Sequence, residues 1–397
     1  MGDTSRLSIS KNSNMFRIAK LLPGAIIAVL VAGCQVAAQQ SPPSASSLVI
    51  DSHATDSATV FKFVTVGDSR AEPHERNNSA QDEIWLQSTA VWSRMSHEIE
   101  QQKPQVLVFN GDMIYGYGAD VAGLDKQYAF WRGMVAGLME RGTYVLPVPG
   151  NHEVQDKLPT LDGGAIRKAT LMRENVWRTN MGDLILNQPL WGKLTGLPAT
   201  AWRVQHAPAI GTDGITTSQQ QLSYSFDAGE IHIAVVNTDP VGFDASAPVQ
   251  WLKKDLSDAQ TRGAKQFFVF GHKMAFTYYP SGKNSLRPDG FDERPDVRAA
   301  FWAVIEQYGA TYFCGHQHVY HASQPTRASG GKAWQVIVGT AGSPFSVKAT
   351  PNGNPNDRMY AWAEVSVRRN GTVSMLVRGF DESLGATRVI EQIEISH

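Results

Sequence analysis

Short, mostly apolar runs that end in polar turns recur along this chain and predict buried β-strands. Val60-Phe61-Lys62-Phe63-Val64-Thr65-Val66 runs into Gly67-Asp68, and Val106-Leu107-Val108-Phe109 runs into Asn110-Gly111-Asp112. Tyr144 to Pro149 leads to Gly150-Asn151-His152, Gln266 to Phe270 to Gly271-His272, and Ala310 to Cys314 to Gly315-His316. Between the first two runs, Ile84, Val91, Met95 and Ile99 recur at helical spacing, and Pro104 closes the helix they predict. Further helices are expected around Trp251–Leu256 and over Phe301–Tyr308. Strand, polar turn and helix in repetition are the pattern of an α/β sheet with its chemistry at the carboxyl ends of its strands.

Two stretches depart from this rhythm. From about 155 to 220 the chain carries Trp177, Trp191, Trp202 and weak helical pieces, and it reads as an insertion over the active-site edge. Such an insertion either shapes specificity or pads the fold. The tail is β: strands are expected at Trp334–Val338, Tyr360–Val367 and Val373–Val377, with Asn370-Gly371 as a hairpin turn and Glu391–Ile395 at an edge. Leu222–Asp227 and Ile231–Asn237 are strands by the same pattern. No internal repeat or second core is visible, so residues 59–397 are expected to form one domain.

The N-terminus has a different character. Lys11, Arg17 and Lys20 precede the apolar run Leu21–Ala32, which is too short to span a bilayer but suits a signal peptide over residues 1–33. It ends Val31-Ala32-Gly33-Cys34, which resembles a bacterial lipobox, so Cys34 is the expected lipidated first residue of the mature chain. Gln35 follows where an Asp would mark inner-membrane retention, so the outer membrane is the expected location in the cell envelope. Residues 34–58, rich in Ala, Gln, Ser and Pro, read as a flexible tether. Of the two Cys, lipidation of Cys34 leaves Cys314 alone, a small apolar residue at a strand end.

At 397 residues and 42% hydrophobic content the chain can bury a large core, and its 35 Gly suit a loop-rich α/β enzyme. The formal charge of −1 gives no overall field to draw nucleic acid or anionic lipid, so an anionic substrate must be attracted locally. The turns offer the means. Asp68, Asp112, Asn151, His272, His316 and His318 form an oxygen and imidazole donor set suited to Fe, Mn, Zn or Ni. In extended chain His316 and His318 would point to the same side and approach one metal cluster.

In this order, Gly67-Asp68, Gly111-Asp112, Gly150-Asn151-His152, Gly271-His272 and Gly315-His316-Gln317-His318, the motifs resemble those of the calcineurin-like metallophosphoesterase superfamily. The resemblance implies a two-sheet mixed β-sandwich flanked by helices. It also implies two metals bridged by Asp112, with Asp68 and His318 on one and Asn151, His272 and His316 on the other. Many members carry Asp-x-His in the first motif; here Arg70 stands in place of that His and cannot ligate. The spacing Gly111-Asp112-Met113-Ile114-Tyr115 is similar to the purple acid phosphatase branch, in which that Tyr binds Fe(III). Tyr115 is then either a ligand, favouring Fe paired with Fe, Zn or Mn, or an aromatic lining the pocket.

The activity so implied is hydrolysis of a phosphorylated small molecule, a monoester first, by attack of a metal-bound hydroxide. His152 is the candidate proton donor, Arg70 a phosphate clamp, and Glu153 is expected to orient a His. The alternatives are a phosphodiesterase or nucleotide-pyrophosphate hydrolase on the same scaffold, and a non-catalytic surface binding lipoprotein.

Overall fold

Phe63 sits where two sheets meet, its ring packed edge-on against Phe268, Phe270 and Phe313 with centroids 5.1, 5.7 and 5.7 Å away. The computed structural model describes residues 58–280, 287–349 and 353–395; the predicted leader, Cys34 and the tether to residue 57 lie outside them. In one sheet β1 (Thr59–Val66), β2 (Val106–Phe109) and β3 (Tyr144–Pro147) run parallel. Two other strands, β4 (Gln155–Pro159) and β5 (Ala165–Ala169), form a separate hairpin. The facing sheet holds β6 (Tyr224–Ala228), β7 (Ile231–Val235), β8 (Gln266–Phe270), β9 (Thr311–Cys314), β10 (Tyr320–Ser323) and β11 (Gln335–Val338). The first sheet is completed by β12 (Met359–Arg368), β13 (Val373–Asp381) and β14 (Arg388–Glu394), giving the order β14-β13-β12-β1-β2-β3.

Both sheets are six-stranded and mixed, the second in the order β10-β11-β9-β8-β7-β6, as expected for the sandwich. Strand β2, wholly apolar, and β11, apolar apart from Gln335, are buried along their length, whereas β12 and β13 alternate. The edge strand β14 is mostly exposed and charged, which discourages pairing with another chain.

Helices cover the outer faces. Helix α1 (Ala80–Trp85) is short; α2 (Thr89–Gln102) and α3 (Val121–Glu140) press Trp92 and Trp131 onto Phe109, with centroids 5.1 and 5.0 Å away. Helix α4 (Asn151–Val154) is one turn at the site; α5 (Leu171–Met181) and α6 (Gln188–Thr195) belong to the stretch read as an insertion. Helices α7 (Val249–Arg262) and α8 (Pro295–Gln307) cover the second sheet with Leu252, Leu256, Phe301 and Ile305. Among the described residues no helix is long and apolar enough to cross a membrane.

Two expectations change. The single helix from Ile84 to Pro104 is broken: Leu86 takes a left-handed φ of 53° and Ile84 is left exposed. The break lets buried Gln87 bridge to Arg70 and accept from Ser69 Oγ, so it grips the loop that carries Asp68. The insertion does two different things. Trp177 and Trp191 join the main core, Trp191 against Tyr144 and Phe226, while the β4–β5 hairpin stands exposed beside the site.

One buried ionic network lies outside the site. His232 on β7 donates from Nδ1 to Asp227 at 2.6 Å and from Nε2 to Asp255 at 2.9 Å. Asp255 also meets His206 Nε2 at 2.7 Å and Ser225 Oγ at 2.8 Å, and Asp227 is held by Arg262. Two carboxylates on one ring require the imidazolium: burial works against the charge, but Asp227 and Asp255 outweigh it and raise the pKa, while both carboxylates are lowered. The carboxylates therefore stabilise the fold above about pH 4, and His232 does so below about pH 6.5, an effect lost as pH rises through its raised folded value. We expect stability to be greatest between those limits. His232→Phe should cost about 3–5 kcal/mol near pH 6, by denaturant melts, and less at pH 9. An equal cost at both pH values would contradict the charged assignment.

Candidate metal centre

The parallel strands deliver five loops to the same end of the sandwich, and the loops hold one another by backbone hydrogen bonds. Asp68 N donates to Gly111 O at 2.9 Å, Ser69 N to Asp112 O at 3.1 Å, and Ser343 N to Asp68 O at 2.9 Å. Gly111 has a φ of 87°, and a Cβ there would lie 2.7 Å from Gly150 Cα and from His272 Nδ1. A Cβ on Gly150 would meet Asp112 N and Oδ1 at 2.5 Å. Only bare backbone permits this approach. Asp68, Asp112 and His316 themselves take left-handed φ values of 66°, 54° and 68°. Such conformations cost roughly 1–3 kcal/mol each and persist where surrounding structure enforces them.

Glu153 does much of the enforcing. It was expected to orient a His; instead its buried carboxylate accepts four backbone N–H groups, from Asp112 (2.8 Å), Met113 (2.9 Å), Ile114 (3.2 Å) and Gly150 (2.7 Å). It thereby staples the Asp112 loop to the Asn151 loop. Burial, then the Asp112 charge, push its carboxyl up to about 7. The extended geometry expected for His316 to His318 is also absent. His316 is left-handed, and its backbone N–H points at the Asp68 carboxylate, 3.1 Å from Oδ2. The two imidazoles consequently reach different donor groups.

Those groups are Asp112, His272 and His316 on one side, and Asp68, Asp112 and His318 on the other, each within a span of 4.8 Å. Asn151 Oδ1 joins the first, 3.0 Å from His272 Nε2 and 2.8 Å from His316 Nδ1. The outer nitrogens fix the tautomers. His272 Nδ1 donates to Asn110 O at 2.7 Å and His318 Nδ1 to Pro344 O at 2.6 Å, while His316 Nε2 donates to Asp289 at 3.1 Å. In the neutral rings the remaining nitrogens present lone pairs to the centre. There His272 Nε2 lies 3.1 Å from Asp112 Oδ1 and 3.1 Å from His316 Nδ1. Acceptors facing acceptors need a positive charge between them, and the residues fit a pair of cations. Without one, a proton serves: burial opposes it, but Asp112 and then Asp68 raise His272 to about 10.

The other expected residues line the same site. Arg70, buried, donates from Nε to Asp112 at 3.3 Å and from Nη1 to Glu72 at 2.5 Å. Burial disfavours its charge, but Asp112, Glu72 and Asp68 raise its pKa. His152 donates from Nδ1 to Tyr115 O and turns Nε2 toward Asp112 Oδ2, 3.7 Å away. Burial first, and then Arg70, lower its pKa well below the usual value, so it is neutral. The Tyr115 ring lies 5.6 Å from that of His152, and its hydroxyl has no hydrogen bond among the described residues. Cys314 is free and buried, as expected.

Sequence reasoning missed Tyr117 and Asp289. The Tyr117 hydroxyl accepts from Asn151 Nδ2 at 2.5 Å, and its ring packs against that of His152, tilted, with centroids 4.1 Å apart. Asp289 orients His316 from a distant loop. Glu153→Gln tests the staple: an amide has one accepting oxygen where the carboxylate uses two. We expect a loss of about 1–3 kcal/mol and a fall in bound metal, read by melting and by metal analysis. An unchanged midpoint and metal content would remove Glu153 from that role.

A family model described as Calcineurin-like phosphoesterase matches residues 61–320. No curated protein matches the chain. Among solved structures, a purple acid phosphatase from yellow lupin (Lupinus luteus) seeds is similar with TM-score 0.51 and 14% identity, over 84% of this chain and 53% of that one. This chain thus spans about half the length of the lupin protein. A dimetal phosphatase from Danio rerio has TM-score 0.41 and 12% identity, over 85% of this chain and 99% of that one. GAP50, the anchor in the inner membrane complex of Plasmodium, has TM-score 0.43 and 10% identity, over 85% and 89%. The family match runs from β1 past His318 and takes in every loop that bears a candidate metal donor, and the chain belongs to the calcineurin-like phosphoesterase family.

Proposed function

We propose that this phosphoesterase hydrolyses phosphate monoesters with two metal ions, Asp112 shared between them. Asp68 and His318 complete one site; Asn151, His272 and His316 complete the other. The observation that carries the reading is that the Asp112 carboxylate belongs to both donor groups. When bound, the two ions neutralise phosphoryl charge and acidify a water.

The chain's own residues supply the remainder. Arg70 Nη2 donates to no described residue, which leaves a fixed cationic donor for a phosphoryl oxygen while Nε and Nη1 lock the guanidinium to Asp112 and Glu72. His152 faces the centre with an open Nε2. The negative charge of a bound phosphoryl group raises its proton affinity, and we assign Nε2 the role of taking a proton from solvent and passing it to the leaving oxygen. Its tautomer is set by the Tyr115 carbonyl.

We further propose a ferric ion bound by Tyr115, on the Gly-Asp-x-x-Tyr spacing and in keeping with the fold shared with the lupin purple acid phosphatase. Tyr117 is the less suited phenolate, since burial and then Asp112 raise its pKa. The leader and Val31-Ala32-Gly33-Cys34 favour a lipid-anchored protein of the bacterial envelope, attached at Cys34 and placed at the outer membrane.

Hydrolysis of an aryl phosphate monoester and the matching diester, with Fe, Mn or Zn supplied, tests the activity. Monoester turnover should exceed diester turnover. Asp112→Asn should lower it roughly 100-fold or more and reduce bound metal. Diester preference would replace the monoester reading, and metal binding without turnover of either would indicate a binding protein. For the iron, a visible tyrosinate band should vanish in Tyr115→Phe and survive in Tyr117→Phe. A wild type loaded with iron and lacking any band would strike Tyr115 from the ligands.

A further inference from the structure

The β4–β5 hairpin begins directly after the His152 helix and is exposed from Lys157 through Lys168, apart from the half-buried Thr160. Its register sets Lys157 opposite Arg167. Like charges facing each other across strands repel, so this pair costs stability unless something offsets it. Both cations lie over one ring: Arg167 Cζ is 4.6 Å and Lys157 Nζ 5.6 Å from the centroid of Tyr117.

The nearby acids are engaged elsewhere. Asp156 pairs with Arg173 at 2.8 Å, Asp244 with Lys168 at 2.5 Å, and Asp162 accepts from Thr160 and the Gly164 N–H in the hairpin tip. Among the described residues neither Lys157 nor Arg167 has a carboxylate partner. The aromatic face attracts a cation by about 0.5–1 kcal/mol at an exposed site, enough to gather the two charges but not to neutralise them. The ring that gathers them is joined to the metal centre. Tyr117 is buried, packs against the His152 ring and accepts from Asn151.

We propose that Lys157 and Arg167, set on Tyr117, form an anion subsite that binds a second phosphoryl group carried by the leaving group of the substrate. A phosphoryl group, with about −1.5 to −2 charge at neutral pH, matches two adjacent cations, whereas a carboxylate matches one. Arg167 offers a planar fork and Lys157 a compact charge, so the pair can hold two oxygens of one group. The natural substrates are then bisphosphorylated small molecules. This rests on the metal-dependent phosphoesterase reading.

The test is calorimetric binding of phenylphosphonate and 1,4-phenylenebisphosphonate, which are not hydrolysed, to the metal-loaded full chain. The bisphosphonate should bind about tenfold more tightly, a gain within reach of charge-assisted hydrogen bonds. In the double variant Lys157→Gln/Arg167→Gln that gain should disappear, and the thermal midpoint should hold or rise because the repulsion is gone. Equal affinities in the wild type, or a gain that survives in the double variant, would overturn the subsite. If phenylphosphonate itself does not bind, the metal-centre reading fails and the subsite falls with it.

Discussion

The Asp112 and Gly150 backbones come closer together than any side chain would allow, and the rest of the site depends on that approach. Gly111 and Gly150 make it sterically possible. The Glu153 carboxylate makes it favourable by taking N–H groups from both loops at once. Once the loops are so joined, Asp112 stands between two donor groups and the imidazoles of two other loops can face it. A single buried acid thus converts strand ends that merely lie near one another into a centre with fixed spacing, which a pair of cations requires.

Much of this was legible in the sequence because parallel, doubly buried strands are written as short apolar runs. Val106–Phe109 and Gln266–Phe270 appear in the structure with those bounds. The candidate donor residues were legible because they lie in the short turns that close such runs. What was hidden depends on contacts between loops far apart in the chain. Nothing near Glu153 says that it will meet the N–H groups of Met113 and Ile114. The break at Leu86 overrides a helical pattern because Gln87 is needed against Ser69. Tyr117 and Asp289 lack any periodic signal, and only the fold brings them to Asn151 and His316.

The two sheets divide the labour. The first provides Asp68, Asp112 and the Asn151 turn from adjacent parallel strands, and the second provides His272, His316 and His318. Phe63 and its three aromatic neighbours fix the distance between the sheets, so packing deep in the sandwich sets the geometry at its end. The His232 network ties β6, β7 and α7 together within the second sheet's side, away from the ligands. Away from the site the fold is held by apolar packing and one buried ion network, whereas the site itself depends on charge held on constrained backbone.

The left-handed backbone at Asp68 and Asp112 narrows what evolution can try there. Asn and Gly accept that conformation but give up the charge; Glu keeps the charge but lengthens the side chain and resists the backbone. A neutral drift through intermediate residues is closed at both positions. Diversification of such a protein must then proceed around the carboxylates, through the ion they hold and the surfaces beside them, while the carboxylates themselves stay in place.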